Sequence, residues 1–181
     1  MGNDPRFRSE TIDFAYSRLL LCGMTDWPGY VRDVFSVLKP GGWAQMGDYV
    51  EDVFYQDKHI IPRDAWDWLR LIREGGALQG LDLDAGLNVR KYMEDAGFVD
   101  IQRWEFPIPY WKIPGASSEI MTEHCIGDKW GLYWHMIPKL VEPLHLSEEK
   151  IEKLRQDMRR DLQEEVGKEQ LFCVTIGRKP T

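Results

Sequence analysis

The stretch FSVLKPGGWAQMGDY, Phe35 to Tyr49, decides how the rest of the chain is read. Two periods meet in it. Tyr30, Val31, Val34, Phe35 and Leu38 recur at the spacing of one helix face, while Trp43 to Tyr49 reads as a strand. Pro40-Gly41-Gly42 lies between and predicts the helix stop, because proline lacks an N–H and glycine accepts a tight turn. The helix start is marked by Thr25 or Asp26 as cap, with Pro28 in the first turn. Upstream, TIDFAYS (Thr11 to Ser17) alternates Ile12, Phe14 and Tyr16 against Asp13, Ala15 and Ser17, which is a strand pattern. The chain therefore opens strand, helix, strand.

The same reasoning extends to the end. Pro62 starts a helix through Trp66, Leu69 and Ile72 to a break at Gly75-Gly76, and Asn88 caps a shorter one that Gly97 ends in a left-handed residue. Phe98 to Phe106 is a third strand, stopped by Pro107 and Pro109. Residues 117–145 look helical but are interrupted by Gly127, Gly131, Pro138 and Pro143. Ser147 caps a long charged helix with a narrow stripe of Ile151, Leu154, Met158 and Leu162. Gln170 to Gly177 is the fourth strand. Helices alternating with strands predict a layered α/β sheet of about four strands with crossover connections. The last strand, after a long helical excursion, inserts antiparallel. One domain over 1–181 is expected, with a helical cap insertion at about 110–146.

Composition sets limits on function. With 181 residues, 43% hydrophobic and 29% charged, the chain is ordinary for a globular domain. A net charge of -7 without a basic stripe argues against nucleic acid. No apolar run is long enough to span a bilayer and the N-terminus has no secretory signal pattern, so an intracellular, cytoplasmic location is expected. Cys22, Cys125 and Cys173 form no C-x-x-C pair and predict buried free thiols rather than a zinc site or disulfide framework. Eight tryptophans, with seven tyrosines and seven phenylalanines, suit either a large aromatic core or a pocket for a flat organic molecule.

Three segments in register carry a family resemblance. IDFAYSRLLLCGMTDWPGYVRDVFSVLKPGGWAQMGDY, VRKYMEDAGFVDIQRWEFPIP and LFCVTIGRKP resemble, in order, the closing strands and helices of class I S-adenosylmethionine (SAM) methyltransferases. The likeness is to the fungal secondary-metabolism group often called LaeA-like. It implies a truncated Rossmann-like methyltransferase sheet, since the Gly-x-Gly cofactor loop and the ribose-binding acidic residue that the family carries upstream are not in this sequence. About 90 residues, three βα units, would be missing. What remains touches one side of SAM at most. It also implies that the Ile12–Tyr16 strand, central in the family, becomes an apolar edge, and such edges are normally covered. A homodimer through residues 12–16, or a partner chain, is therefore expected.

Ligands of open α/β sheets collect outside the carboxyl ends of the strands. Here that names Tyr16, Ser17 and Arg18, then Asp48, Tyr49, Glu51 and Asp52. Arg18 can bind a carboxylate or enolate oxygen, or make a surface ion pair. Asp48 can act as acid or base, or be a solvated loop carboxylate. In the resembled family the inserted helices cap the substrate pocket, which draws in Glu123, His124, Asp128, Trp130, Tyr133, Trp134 and His135. Trp130 and Trp134 share a helix face, as do Tyr133 and Ile137, a spacing that suits core packing as well. His124 and His135 are proton-shuttle candidates, against the structural role that most histidines have, and their spacing is no metal motif. The expected catalytic set is His124, Arg18, Asp48 and His135, with Tyr16, Tyr49, Glu123, Trp130, Tyr133 and Trp134 binding substrate, and no metal.

Three functions follow. The first is a SAM-independent enzyme on the methyltransferase scaffold, with no cofactor, which holds a small hydrophobic natural-product intermediate for cyclisation, pericyclic or isomerisation chemistry. The resemblance supports it because related fungal folds include cofactor-free cyclases. Orientation alone can supply up to roughly 7–11 kcal/mol in the best-placed cases. The second is a SAM-dependent small-molecule methyltransferase needing a missing or partner N-terminal half. The third is a non-catalytic partner of a full-length methyltransferase.

Overall fold

The computed structural model describes residues 8–62, 64–110, 131, 133–163 and 167–181. In chain order the elements are β1 (Ile12–Arg18), a 3-10 turn (Leu21–Gly23), α1 (Trp27–Val37), β2 (Leu38–Gln56), β3 (His59–Ile60), α2 (Asp67–Leu78), α3 (Ala85–Ala96) and β4 (Val99–Pro109). Helical residues 133–140 (α4), a 3-10 turn (Glu142–Leu144), α5 (Glu148–Gln163) and β5 (Lys168–Arg178) follow. The sheet order is β1-β2-β5-β4, with β3 paired to β2.

β1 and β2 run parallel, Ala15 opposite Ala44 and Arg18 opposite Gly47. β5 runs against β2. The Gly41 N–H donates to Lys179 O at 3.0 Å near one end, and the Asp57 N–H to Gly167 O at 3.2 Å near the other. It also runs against β4, since Tyr110 N–H donates to Lys168 O at 2.8 Å and Arg178 Nε reaches Asp100 Oδ2 at 2.7 Å. The sheet is therefore mixed, and among the described residues β1 is its edge.

Several expected boundaries move. Pro40-Gly41-Gly42 is no turn ahead of a strand but a bulge inside β2. The register jumps from Ile12 opposite Leu38 to Phe14 opposite Trp43, and Gly41 takes φ +80°, which a side chain would resist. The second strand, expected to end at Tyr49, continues to Gln56, so Asp48 to Asp52 lie within β2, which ends at an Asp57-Lys58 turn where both residues have positive φ. Gly75-Gly76 does not break α2 either. A Cβ at Gly75 would collide with the Leu140 carbonyl oxygen, so the glycine permits close packing inside the helix. Pro107 and Pro109 are carried by β4, a strand at the end of the sheet path, where a missing N–H costs no ladder bond. Asn88 lies inside α3 instead of capping it, its amide on Asp82 at 3.1 Å. Asp26 does cap α1, accepting from Gly29 N at 2.8 Å, and Gly97 ends α3 at φ +95°.

The chain divides into two compact units. The first holds residues 1–50, 81–106 and 172–181, the second residues 51–80 and 107–171. In the first, Val31 and Val34 of α1, Val89 and Met93 of α3, and Leu38, Ala44 and Met46 of β2 form a core with Trp27 and Phe98. The opposite side of its strands leaves Phe14 and Tyr16 of β1 and Trp104 and Phe106 of β4 exposed. In the second, Trp68, Leu69 and Ile72 of α2, Ile137 and Leu140 of α4, and Leu154, Met158 and Leu162 of α5 are buried with Phe54. The expected cap insertion falls in this second unit, and its residues 111–130 lie outside the described residues.

Candidate functional site

A cleft of about 1020 Å³ lies in the first unit at the carboxyl end of β1. Tyr16 and Arg18 line it from β1, Leu20 and Met24 from the β1–α1 connection, and Tyr30 and Arg32 from α1. Its position follows from the parallel β1–α1–β2 unit, because β1 ends where the chain leaves for α1.

The connection that walls the cleft is held by β2. Leu19 sits at φ +57°, a left-handed conformation that costs a leucine on the order of 1 kcal/mol. Its N–H donates to Gly47 O at 3.0 Å. The next two N–H groups, of Leu20 and Leu21, donate to Asp48 Oδ2 at 2.7 and 3.0 Å. Asp48 Oδ1 accepts from Tyr49 N at 3.0 Å. The Asp48 carboxylate is only 3% exposed. Burial pushes its pKa up to about 6 and outweighs the three backbone N–H donors and the Arg18 charge, which pull it down. Its oxygens are turned to the backbone rather than outward.

The other sequence-predicted residues scatter. Arg18 is exposed, with its guanidinium 5.7 Å from the Phe172 ring centroid. Tyr16 is exposed at the cleft, and Tyr49 packs edge-on to Phe172 with centroids 5.0 Å apart. Arg18, Tyr16 and Asp48 thus belong to one end of β1 and β2. Tyr133 and Trp134 belong to the second unit. Trp134 lies under the Arg155 guanidinium at 5.1 Å, and its carbonyl accepts from Arg155 Nε at 3.0 Å. His135 points from the same helix and is exposed. Glu123, His124 and Trp130, with Cys125 and Asp128, lie outside the described residues. Cys22 is half-buried, whereas Cys173 is a buried free thiol that burial pushes up to about 11. Among the described residues no cluster of three or more His, Cys, Asp or Glu could hold a metal, and no helix is long and apolar enough to cross a membrane.

Within the second unit a buried polar chain escaped the sequence reading. Tyr110 Oη donates to Gln170 Oε1 at 2.7 Å, Gln170 Nε2 to Tyr133 Oη at 2.8 Å, and Tyr133 Oη to Glu51 Oε2. Burial, then the Glu51 charge, drives the Tyr133 phenol well above its ordinary pKa, so it stays a donor. Phe54, Trp66 and Trp68 surround this chain, with Trp66 stacked on Trp68 at 5.4 Å and Trp68 edge-on to Tyr133 at 5.9 Å. Gln170, 1% exposed, gives one signal in the sequence, a polar residue opening an apolar strand run.

The fold is the Rossmann-like α/β fold of SAM-dependent methyltransferases. A Haemonchus contortus phosphoethanolamine N-methyltransferase 2 in complex with S-adenosyl-L-methionine aligns with a TM-score of 0.52 at 15% identity, covering 97% of this chain and 35% of that one. A putative methyltransferase from Bacillus halodurans C-125 aligns at 0.50 and 14%, covering 99% and 74%. In sequence the chain is 28% identical over 101 residues to methyltransferase pytC of Aspergillus terreus, covering 54% of this chain and 30% of that protein. It is 24% identical over 185 residues to N-methyltransferase sirN of Leptosphaeria maculans, covering 97% and 62%. The chain thus spans less than two thirds of the length of pytC and sirN. No protein-family model matches it.

The described residues do not by themselves fit S-adenosylmethionine. No glycine-rich loop joins a strand to a helix among them, and the carboxylate beside the cleft, Asp48, is already committed to three backbone N–H groups. They wall the open cleft at the carboxyl end of β1.

Proposed function

We propose that this chain supplies the substrate side of a SAM-dependent methyltransferase acting on a small, largely hydrophobic organic molecule. The strands that carry the cofactor loop come from another segment or a partner chain and lie along the free edge of β1. The observation that carries this reading is the position of β1: a strand that, among the described residues, is paired in parallel on one side only, with Phe14 and Tyr16 exposed and the cleft at its carboxyl end. The named relatives favour methyl transfer over cofactor-free cyclisation, which rests on the family resemblance alone, and over a purely non-catalytic partner.

Calorimetry with S-adenosylhomocysteine tests the division of labour. Residues 1–181 alone bind without saturation, whereas the same residues fused behind a strand–Gly-x-Gly–helix half of a SAM methyltransferase bind saturably and transfer a methyl group. Saturable micromolar binding by residues 1–181 would sink the one-wall reading. A joined chain that never binds would sink methyl transfer. Light scattering reads the edge directly: a second copy on β1 doubles the mass at micromolar concentration, and that result would revive the homodimer.

A further inference from the structure

We propose that Asp48 is a positioning residue for the cleft: its buried carboxylate clamps the Leu20–Leu21 backbone to β2 and so preorganises the wall that the ligand meets. The inference rests on reading the cleft as the ligand site, and it deepens that reading by assigning a residue that touches no ligand.

Two unfavourable features coincide on one short segment. Leu19 holds a left-handed backbone although a leucine has no preference for it. Asp48 keeps a carboxylate at 3% exposure, where a charge is poorly solvated. Neither serves the neighbouring core, which is apolar and closed by Val31, Val34, Val89 and Met93. Both act on the Leu19–Leu21 turn. The Leu19 N–H is on Gly47 O, and the Leu20 and Leu21 N–H groups share Asp48 Oδ2. Leu21 is then anchored at 4% exposure, while its neighbours Leu20 and Met24 face the cleft. Strain and a desolvated charge kept together beside a cleft mark a geometry held for binding. The shared Asp48 Oδ2 also answers where two donors beyond the end of β1 find their partner.

The clamp explains a further detail. Arg18 lies one residue from the strained turn and rests on Phe172 of β5. A fixed turn holds the Arg18 backbone against Gly47, its register partner, and thereby sets where the guanidinium meets the cleft.

Amide hydrogen exchange by NMR on the natural chain, with acceptor kinetics in the joined methyltransferase, tests the proposal. In Asp48→Ala the Leu20 and Leu21 amides exchange faster by about tenfold or more, the expectation for losing charge-assisted bonds, while the Val31 and Val34 amides do not change. Asp48→Asn, which keeps one acceptor oxygen, retains most of the protection. Leu19→Gly relieves the strain without touching Asp48, folds at least as well as the wild type, and still raises the acceptor KM more than it changes kcat. Unchanged exchange at Leu20 and Leu21 in Asp48→Ala would overturn the clamp. Faster exchange with KM and kcat both unmoved would overturn its role in binding. If Asp48→Ala does not fold, Asp48→Leu, close to aspartate in length and without an acceptor, carries the same comparison. Should the wild type show no methyl transfer at all, the proposed function fails, and the exchange data still decide the clamp.

Discussion

Each unit of the chain buries a carboxylate, and the two hold it in opposite ways. Asp48 in the first unit gives its oxygens to main-chain N–H groups beside an open cleft. Glu51 in the second receives a tyrosine hydroxyl inside an aromatic core, in a chain that continues through Gln170 to Tyr110. The first arrangement shapes backbone and depends on one side chain. The second is side chain against side chain, so each member depends on the others. Substitutions in the second unit should therefore act on stability in proportion to burial, and those in the first should act on geometry and pH response.

The largest effect is expected at Trp68, fully buried in the aromatic core with its indole N–H on Asp161 Oδ2 at 3.1 Å. Trp68→Ala removes the ring that Phe54, Trp66 and Tyr133 pack against and should cost about 3–5 kcal/mol. Urea denaturation measures it. A loss below about 1 kcal/mol, the level of a surface change, would mean that this core is not the closed structure described.

Next comes the pH response of Asp48. Its folded pKa, about 6, stands above the ordinary 3.8. The neutral acid is thus the form the fold prefers, and this contribution is complete below 3.8 and lost as pH rises through about 6. The difference corresponds to about 3 kcal/mol. Denaturation of the wild type and Asp48→Asn at pH 4, 5, 6 and 7 should show the wild type losing ground to the variant over that window and no further change above it. A flat difference, or one of the opposite sign, would show that the backbone donors outweigh burial.

Tyr133→Phe sharpens the contrast at intermediate size. It deletes one hydroxyl and leaves Glu51 and Gln170 each without that partner, for about 1–3 kcal/mol. Combined with Tyr110→Phe, the loss should differ from the sum of the two singles, because Gln170 links them. Strict additivity would mean that the polar chain is no network.

What the sequence disclosed divides along similar lines. Short-range signals were legible: Asp26 and Pro28 at α1, Gly97 after α3, Ser147 before α5, and the apolar run of β5. Most of the misread features depend on residues distant in the chain. Lys-Pro-Gly-Gly looks like a turn until β1 sets its register and Lys179 bonds to both Gly41 and Gly42. Gly75 looks like a break until the Leu140 carbonyl approaches it. At the site, Asp48 was named from its place after a strand, but no local pattern says that Leu20 and Leu21 will turn their N–H groups toward it. Tyr133 was named for the cap and Glu51 for the end of a strand, and only the fold shows that they meet.

The smallest effect tests the locally coded part of the first unit. Asp26 caps α1 through Gly29 N at 2.8 Å, in an exposed setting beside the cleft. Asp26→Ala should cost about 1 kcal/mol in urea denaturation, with the Leu20 and Leu21 amides as protected as in the wild type. That pairing separates two carboxylates of one unit: Asp26 serves its own helix, and Asp48 a turn about 27 residues away in the chain. If Asp26→Ala also released Leu20 and Leu21, the turn would be held by the start of α1 rather than by β2, and the clamp would be misassigned.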